Sequence, residues 1–112
     1  MNRKLDLLQG TLDLLILRTL LGGAAHGHAI AKHIQRTSEE LLQVETGSLY
    51  PALHRLEAKG WIEATWDLSD KGKRARYYKL TRDGRKQLSN ERSKWDAFAR
   101  AMGLILAADG RP

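Results

Sequence analysis

A mainly α fold carrying one small β-hairpin is what this sequence predicts, and three observations predict it. Apolar residues recur at helical spacing in three successive segments before Gly60; two aromatic and β-branched segments then flank a run of turn formers; a long segment of helical period closes the chain. The 112 residues suit one globular unit. With 42% apolar and 29% charged residues, the composition is that of a folded domain rather than a disordered chain.

The first helix is predicted over Gly10 to Leu21, where Leu12, Leu15, Ile16, Leu17, Leu20 and Leu21 follow the helical repeat and Gly22-Gly23 supply a stop; Leu5, Leu7 and Leu8 could extend it at the N-terminal end. A shorter amphipathic helix follows from Gly27 to Arg36, with Ala29, Ile30 and Ile34 on one face. Thr37 to Glu45 reads as a loop or a turn of helix. The third helix starts at Thr46, with Thr46 and Ser48 both able to cap it, carries the stripe Leu49, Leu53 and Leu56, tolerates Pro51 in its opening turn and closes at Gly60. From Trp61 the period changes. Trp61 to Trp66 and Arg76 to Leu80 are strand-like, and Asp67 to Lys73 reads as a long connecting loop. Thr81 then caps a final helix running to about Ala107.

Three helices followed by a two-stranded ribbon is the order of a winged helix-turn-helix, whose third helix enters the DNA major groove. Charge agrees with that reading: 19 Lys and Arg against 13 Asp and Glu leave a net +6, which favours a polyanionic partner. On the third helix, burying the leucine stripe turns Gly47, Ser48, Pro51, His54, Arg55 and Ala58 outward and leaves Tyr50 on the flank. The alternative for this face is an ordinary solvated surface. In the hairpin, Lys71, Lys73, Arg74, Arg76 and Lys79 place five cations within nine residues around Gly72, on what reads as a mobile tip suited to phosphates or the minor groove. The residues assigned to double-stranded DNA are therefore Thr46, Ser48, Tyr50, Pro51, His54 and Arg55 on the helix, and Lys71, Lys73, Arg74 and Arg76 on the ribbon. Together they are expected to form one continuous electropositive saddle.

The last helix carries a second signal. Leu88, Trp95 and Met102 are spaced by sevens and Phe98 and Ile105 add a parallel line, an apolar seam that calls for the same helix, or the leucine-rich first helix, of a second subunit. A helix folded back on its own domain is the alternative. Leu8, Leu12, Leu88, Trp95, Phe98, Met102 and Ile105 are assigned to this dimer or ligand interface, and Trp95 could stack a planar aromatic effector there. Two-fold pairing would match a palindromic site with half-sites ~34 Å apart.

Other classes are disfavoured. Without cysteine there is no disulfide, thiolate zinc site or cysteine nucleophile. His26, His28 and His33 are poorly spaced for a metal, so neither a metal nor another cofactor is expected. Neither Ser48 nor Ser69 sits in a nucleophile elbow, which argues against an enzyme. Asp6, Gln9, Thr11 and Asp13 interrupt the N-terminal apolar run, so no membrane span is expected and the cytoplasm is the expected compartment.

The chain resembles the PadR-like family of bacterial transcriptional regulators. The resemblance is carried by Leu8-Gln9-Gly10-Thr11-Leu12, by the run from Gly47 to Glu57 (Gly-Ser-Leu-Tyr-Pro-Ala-Leu-His-Arg-Leu-Glu) with Gly60-Trp61-Ile62, and by Arg76-Tyr77-Tyr78-Lys79-Leu80-Thr81 with Gly84. It implies a dimeric winged-helix repressor on an inverted-repeat operator, with Tyr50 in the recognition helix and Lys73, Arg74 and Arg76 on the DNA backbone. It further implies a C-terminal helix that exchanges contacts with the partner's N-terminal helix and, in some members, release of DNA by small aromatic compounds. Gly27-His28 departs from the Gly-Tyr pair of many relatives. The expected division is a winged helix-turn-helix DNA-binding domain over 5–80 and a C-terminal dimerisation helix over 81–107.

Overall fold

The structure, a computed structural model, describes Leu7 and residues 10–108. Leu8, assigned above to the interface, lies outside the described residues. The element order is α1 (Thr11–Leu21), β1 (Ala25–His26), α2 (Gly27–Thr37), α3 (Thr46–Ala58), β2 (Ile62–Leu68), β3 (Arg74–Leu80) and α4 (Arg82–Ala107). All four predicted helices and both predicted strands are present, so the mainly α winged architecture holds.

The core forms where the apolar stripes converge. Ile16, Leu17 and Leu20 of α1, Ile30 and Ile34 of α2, and Leu49, Ala52, Leu53 and Leu56 of α3 pack together, and Ile62 and Tyr78 close the assembly from the sheet. Helical spacing places the large aliphatic residues of this set on the facing sides of their helices; Ala52 is not among the positions it names.

Several local features depart from the sequence reading. A two-residue strand, β1, adds to the hairpin in the order β1-β3-β2, all antiparallel, pairing Ala25 with Tyr78 and His26 with Tyr77. Two residues are too few to show an alternating pattern. His26 lies in this strand, and its Nδ1 accepts the Ala29 amide at 3.1 Å and caps α2. At α3 the cap position falls to Glu45, with no side-chain hydrogen bond, and Thr46 and Ser48 lie inside the first turn instead. The wing strands each run two residues beyond the prediction, so that Leu68 pairs with Arg74 and the connecting loop shrinks to residues 69–73. The tip is a closed turn rather than a loose one. Ser69 N–H donates to the Lys73 carbonyl at 2.7 Å and Gly72 N–H to the Ser69 carbonyl at 2.8 Å, with Gly72 at φ +76°. At the other end of the chain, Gly10 is left-handed and α1 opens at Thr11, so the helix does not extend back to Leu7.

The root of α4 is pinned to the base of the wing. Thr81 caps the helix as predicted, its Oγ1 accepting the Gly84 amide at 3.0 Å while donating to the Gly60 carbonyl at 2.7 Å. The Thr81 amide also donates to the Trp61 carbonyl at 3.1 Å. Leu88, one turn on, is 6% exposed and belongs to the protomer's own core, which corrects its place in the predicted seam. The seven-residue spacing is genuine, but the first seven residues of α4 still lie on the body, against α1, where Leu88 has neighbours of its own chain. From Arg92 onward every described residue of α4 is exposed. A helix of 26 residues is ~39 Å long, and its free half gives the molecule its longest dimension of 57 Å.

Candidate nucleic-acid interface

The outward side of α3 is the face the leucine stripe leaves free: Thr46, Gly47, Ser48, Tyr50, Pro51, His54, Arg55 and Ala58 are all exposed. A Cβ built on Gly47 meets nothing within 4 Å, so a bulky ligand can approach the backbone there. Beside this face stands the wing, and between them runs a groove of about 640 Å³. Tyr50 and His54 line it from α3; Trp66, Lys71, Lys73, Arg74 and Arg76 line it from the wing, with His28 at one end.

The groove thus unites two of the six helix residues assigned to DNA with all four of the wing cations. Thr46, Ser48 and Pro51 lie outside its lining, on the exposed opening turns of α3. Arg55 lies on the opposite flank. Its Nη2 donates to Asp13 Oδ1 of α1 at 2.8 Å, because a helix turns about 100° per residue and carries residue 55 away from His54 and toward α1. The electropositive surface therefore follows the wing side of α3 and does not wrap the helix as a continuous saddle.

The wing cations are not equivalent. Arg76 is committed within the protein: Nη2 donates to Glu57 Oε2 at 2.7 Å, and the guanidinium lies 5.8 Å from the Tyr78 ring centroid. Arg74 lies over Trp66, 5.1 Å from its centroid. Lys71 and Lys73 stand on the exposed tip. Three cations are thus presented outward, and the fourth ties the wing to α3. Burial pushes the Tyr78 hydroxyl above its usual range; Arg76 opposes that shift and Glu57 adds to it.

Tyr50 is held by a contact that spacing could not reveal. Its ring lies against Gly27 so closely that a Cβ there would come within 2.8 Å of the phenol oxygen. Gly27 is buried in the first turn of α2, and its missing side chain is what lets the tyrosine lie down beside the groove. Trp66 was also missed as a groove residue. Period-two alternation from Ile62 through Ala64 carries the information, since Trp66 shares their face, but it lies beyond the buried part of the strand.

On α4, Trp95, Phe98, Met102 and Ile105 are exposed at 38%, 54%, 42% and 72%, and the Trp95 and Phe98 rings lie 6.2 Å apart. Leu12 is half-buried against the core. A second groove, of about 750 Å³, runs between α1 and α4 and is lined by Leu7, Leu14, Leu15, Leu88 and Trp95 among others.

A recognition helix with a basic wing packed along one side, and a two-faced groove between them, defines a winged helix-turn-helix DNA-binding protein. The chain belongs to the PadR-like family of transcriptional regulators, whose family model matches residues 16–90. It is 37% identical over 102 residues to an uncharacterized protein of Lysinibacillus sphaericus, covering 90% of this chain and 93% of that one. A transcriptional regulator of Mycobacterium tuberculosis is 33% identical over 85 residues, 76% of each chain. The crystal structure of a PadR family transcription regulator from Clostridium difficile superposes with a TM-score of 0.75 at 31% identity, covering 87% of this chain and 99% of that one. The protein is accordingly a transcriptional regulator that binds DNA, and not an enzyme. Among the described residues no helix is long and apolar enough to cross a membrane.

Proposed function

We propose that the protein is a homodimeric repressor of transcription that binds an inverted-repeat operator, with α3 in the major groove and the wing on the flanking phosphates. The convergence of Lys71, Lys73 and Arg74 with Tyr50 and His54 on one groove carries this reading. Cations grouped in this way displace condensed counterions from a duplex, whereas scattered ones would serve solubility alone. A dimer bound across two half-sites represses by occupying promoter DNA. Titrating duplex DNA at two salt concentrations tests the reading: log affinity should fall steeply against log salt, and a slope near zero would contradict a phosphate-binding wing.

The division of labour between a DNA-binding unit over 5–80 and a dimerisation helix over 81–107 fits the exposed half of α4. Phe98, Met102 and Ile105 expose apolar surface along one seam that the protomer itself does not cover. The F98D/I105D double variant should sediment as a monomer at concentrations where the parent is dimeric. Equal sedimentation of the two would remove α4 from the interface.

A second reading adds a small aromatic effector between the subunits. The groove between α1 and α4, with Trp95 in its wall, favours it. With Trp61 and Trp66 replaced, planar aromatic compounds should quench Trp95; emission unchanged by any of them would leave the groove to subunit packing alone.

A further inference from the structure

The wing holds a tryptophan that neither the core nor the ion pairs account for. Trp66 is 60% exposed, on a strand whose inner residues are fully used. Along the face of the hairpin that looks at α3, the register pairs Ile62 with Leu80, Ala64 with Tyr78, Trp66 with Arg76 and Leu68 with Arg74. The first two pairs pack on the core. Of the last two, Trp66, Arg76 and Arg74 line the groove together with Tyr50 and His54. Trp66 and Leu68, alternate residues of β2 and 60% and 64% exposed, leave an apolar patch bordered by Arg74 and Arg76, and a patch with a charged rim is the kind of surface that marks a binding site.

The chemistry around Trp66 narrows what it can bind. Arg74 lies over the ring at 5.1 Å, and Lys71 and Lys73 line the same groove. A purely apolar partner would strand those cations, and a purely ionic one would leave the indole wet. A ligand that presents hydrocarbon between regularly spaced anions satisfies both, and the deoxyribose walls of a DNA minor groove, bordered by phosphates, are such a surface. A wing beside a helix seated in the major groove reaches the neighbouring minor groove across one strand of backbone.

We propose that Trp66 is an apolar contact on DNA, its indole packed against the sugar walls of the minor groove flanking each half-site while Arg74 bridges from its face to the adjacent phosphate. This rests on the duplex-binding reading above and adds to it a contact that carries no charge. Trp66 then responds to groove width and deformability rather than to base edges.

The W61F/W95F variant keeps Trp66 as its sole tryptophan, because the chain has three. Mixed-sequence duplex is added at low salt while anisotropy of a label on the DNA reports binding independently. Trp66 emission should be quenched and shifted to shorter wavelength in step with the anisotropy, and an oligopyrrole ligand that fills the minor groove should prevent the change. Trp66→Ala should weaken binding by roughly tenfold, and Trp66→Phe should recover most of it, with circular dichroism unchanged in both. Fluorine NMR of the fluorotryptophan-labelled parent repeats the measurement with Trp61 and Trp95 in place. Emission that stays constant while anisotropy rises overturns the proposal and leaves duplex binding intact, as does a response confined to single-stranded DNA. Anisotropy that does not rise overturns both.

Discussion

Replacing Lys71, Lys73 and Arg74 together by alanine is expected to lower affinity for duplex DNA on the order of a hundredfold at physiological salt. The log–log salt slope should fall by up to about 5 for a dimer, since six lost phosphate contacts count ~0.9 each. All sequences should suffer alike, because phosphates carry no base information. Arg76→Ala provides the internal comparison. Its guanidinium is already held by Glu57 at 2.7 Å, so removing it should change the salt slope less than removing Arg74. A triple variant with the parent slope would mean that the groove is not where phosphates bind.

Gly84→Ala should destabilise the fold by about 3 kcal/mol, although it adds only a methyl group. Gly84 is buried in the first turn of α4, and a Cβ there would overlap the Trp61 carbonyl oxygen. That carbonyl cannot retreat freely, because it accepts the Thr81 amide at 3.1 Å. Relief would require α4 to lift from the wing base, breaking the Thr81 cap and displacing Leu88 from the core. Gly47→Ala makes the contrast: nothing lies within 4 Å of the added atom, and alanine favours a helix over glycine by roughly 1 kcal/mol. Thermal melting at one fixed protein concentration should therefore show opposite signs for the two changes. Equal melting temperatures would show that the α4 root yields easily.

The contrast between these glycines bears on what could be read without coordinates. Local spacing specifies the helices and the wing, because the stripe at Leu49, Leu53 and Leu56 or the aromatic run from Trp61 reports directly on which side is buried. The Thr81 cap was legible for the same reason, since its partner is three residues away. Features made by residues distant in sequence were not. Gly27 under Tyr50, Asp13 on Arg55 and Glu57 on Arg76 join segments that only the folded chain brings together. So the cations of the candidate interface could be named from the sequence, while the division between outward-facing and internally paired ones could not. Leu88 shows the limit from the other side: a seven-residue spacing says that a face is apolar, not whether the same chain already covers it.

β1 has a mechanical consequence out of proportion to its two residues. By joining β3 to the segment that begins α2, it fastens the ribbon at its root on the side away from β2, and Arg76–Glu57 fastens it again nearer the groove. A ribbon held at both places cannot swing like a hinged flap. In the dimer proposed above, adjustment to a DNA site would fall instead to the angle at which α4 sets one copy against another, so a change in that angle would move both arms of the clasp together, in the manner of calipers.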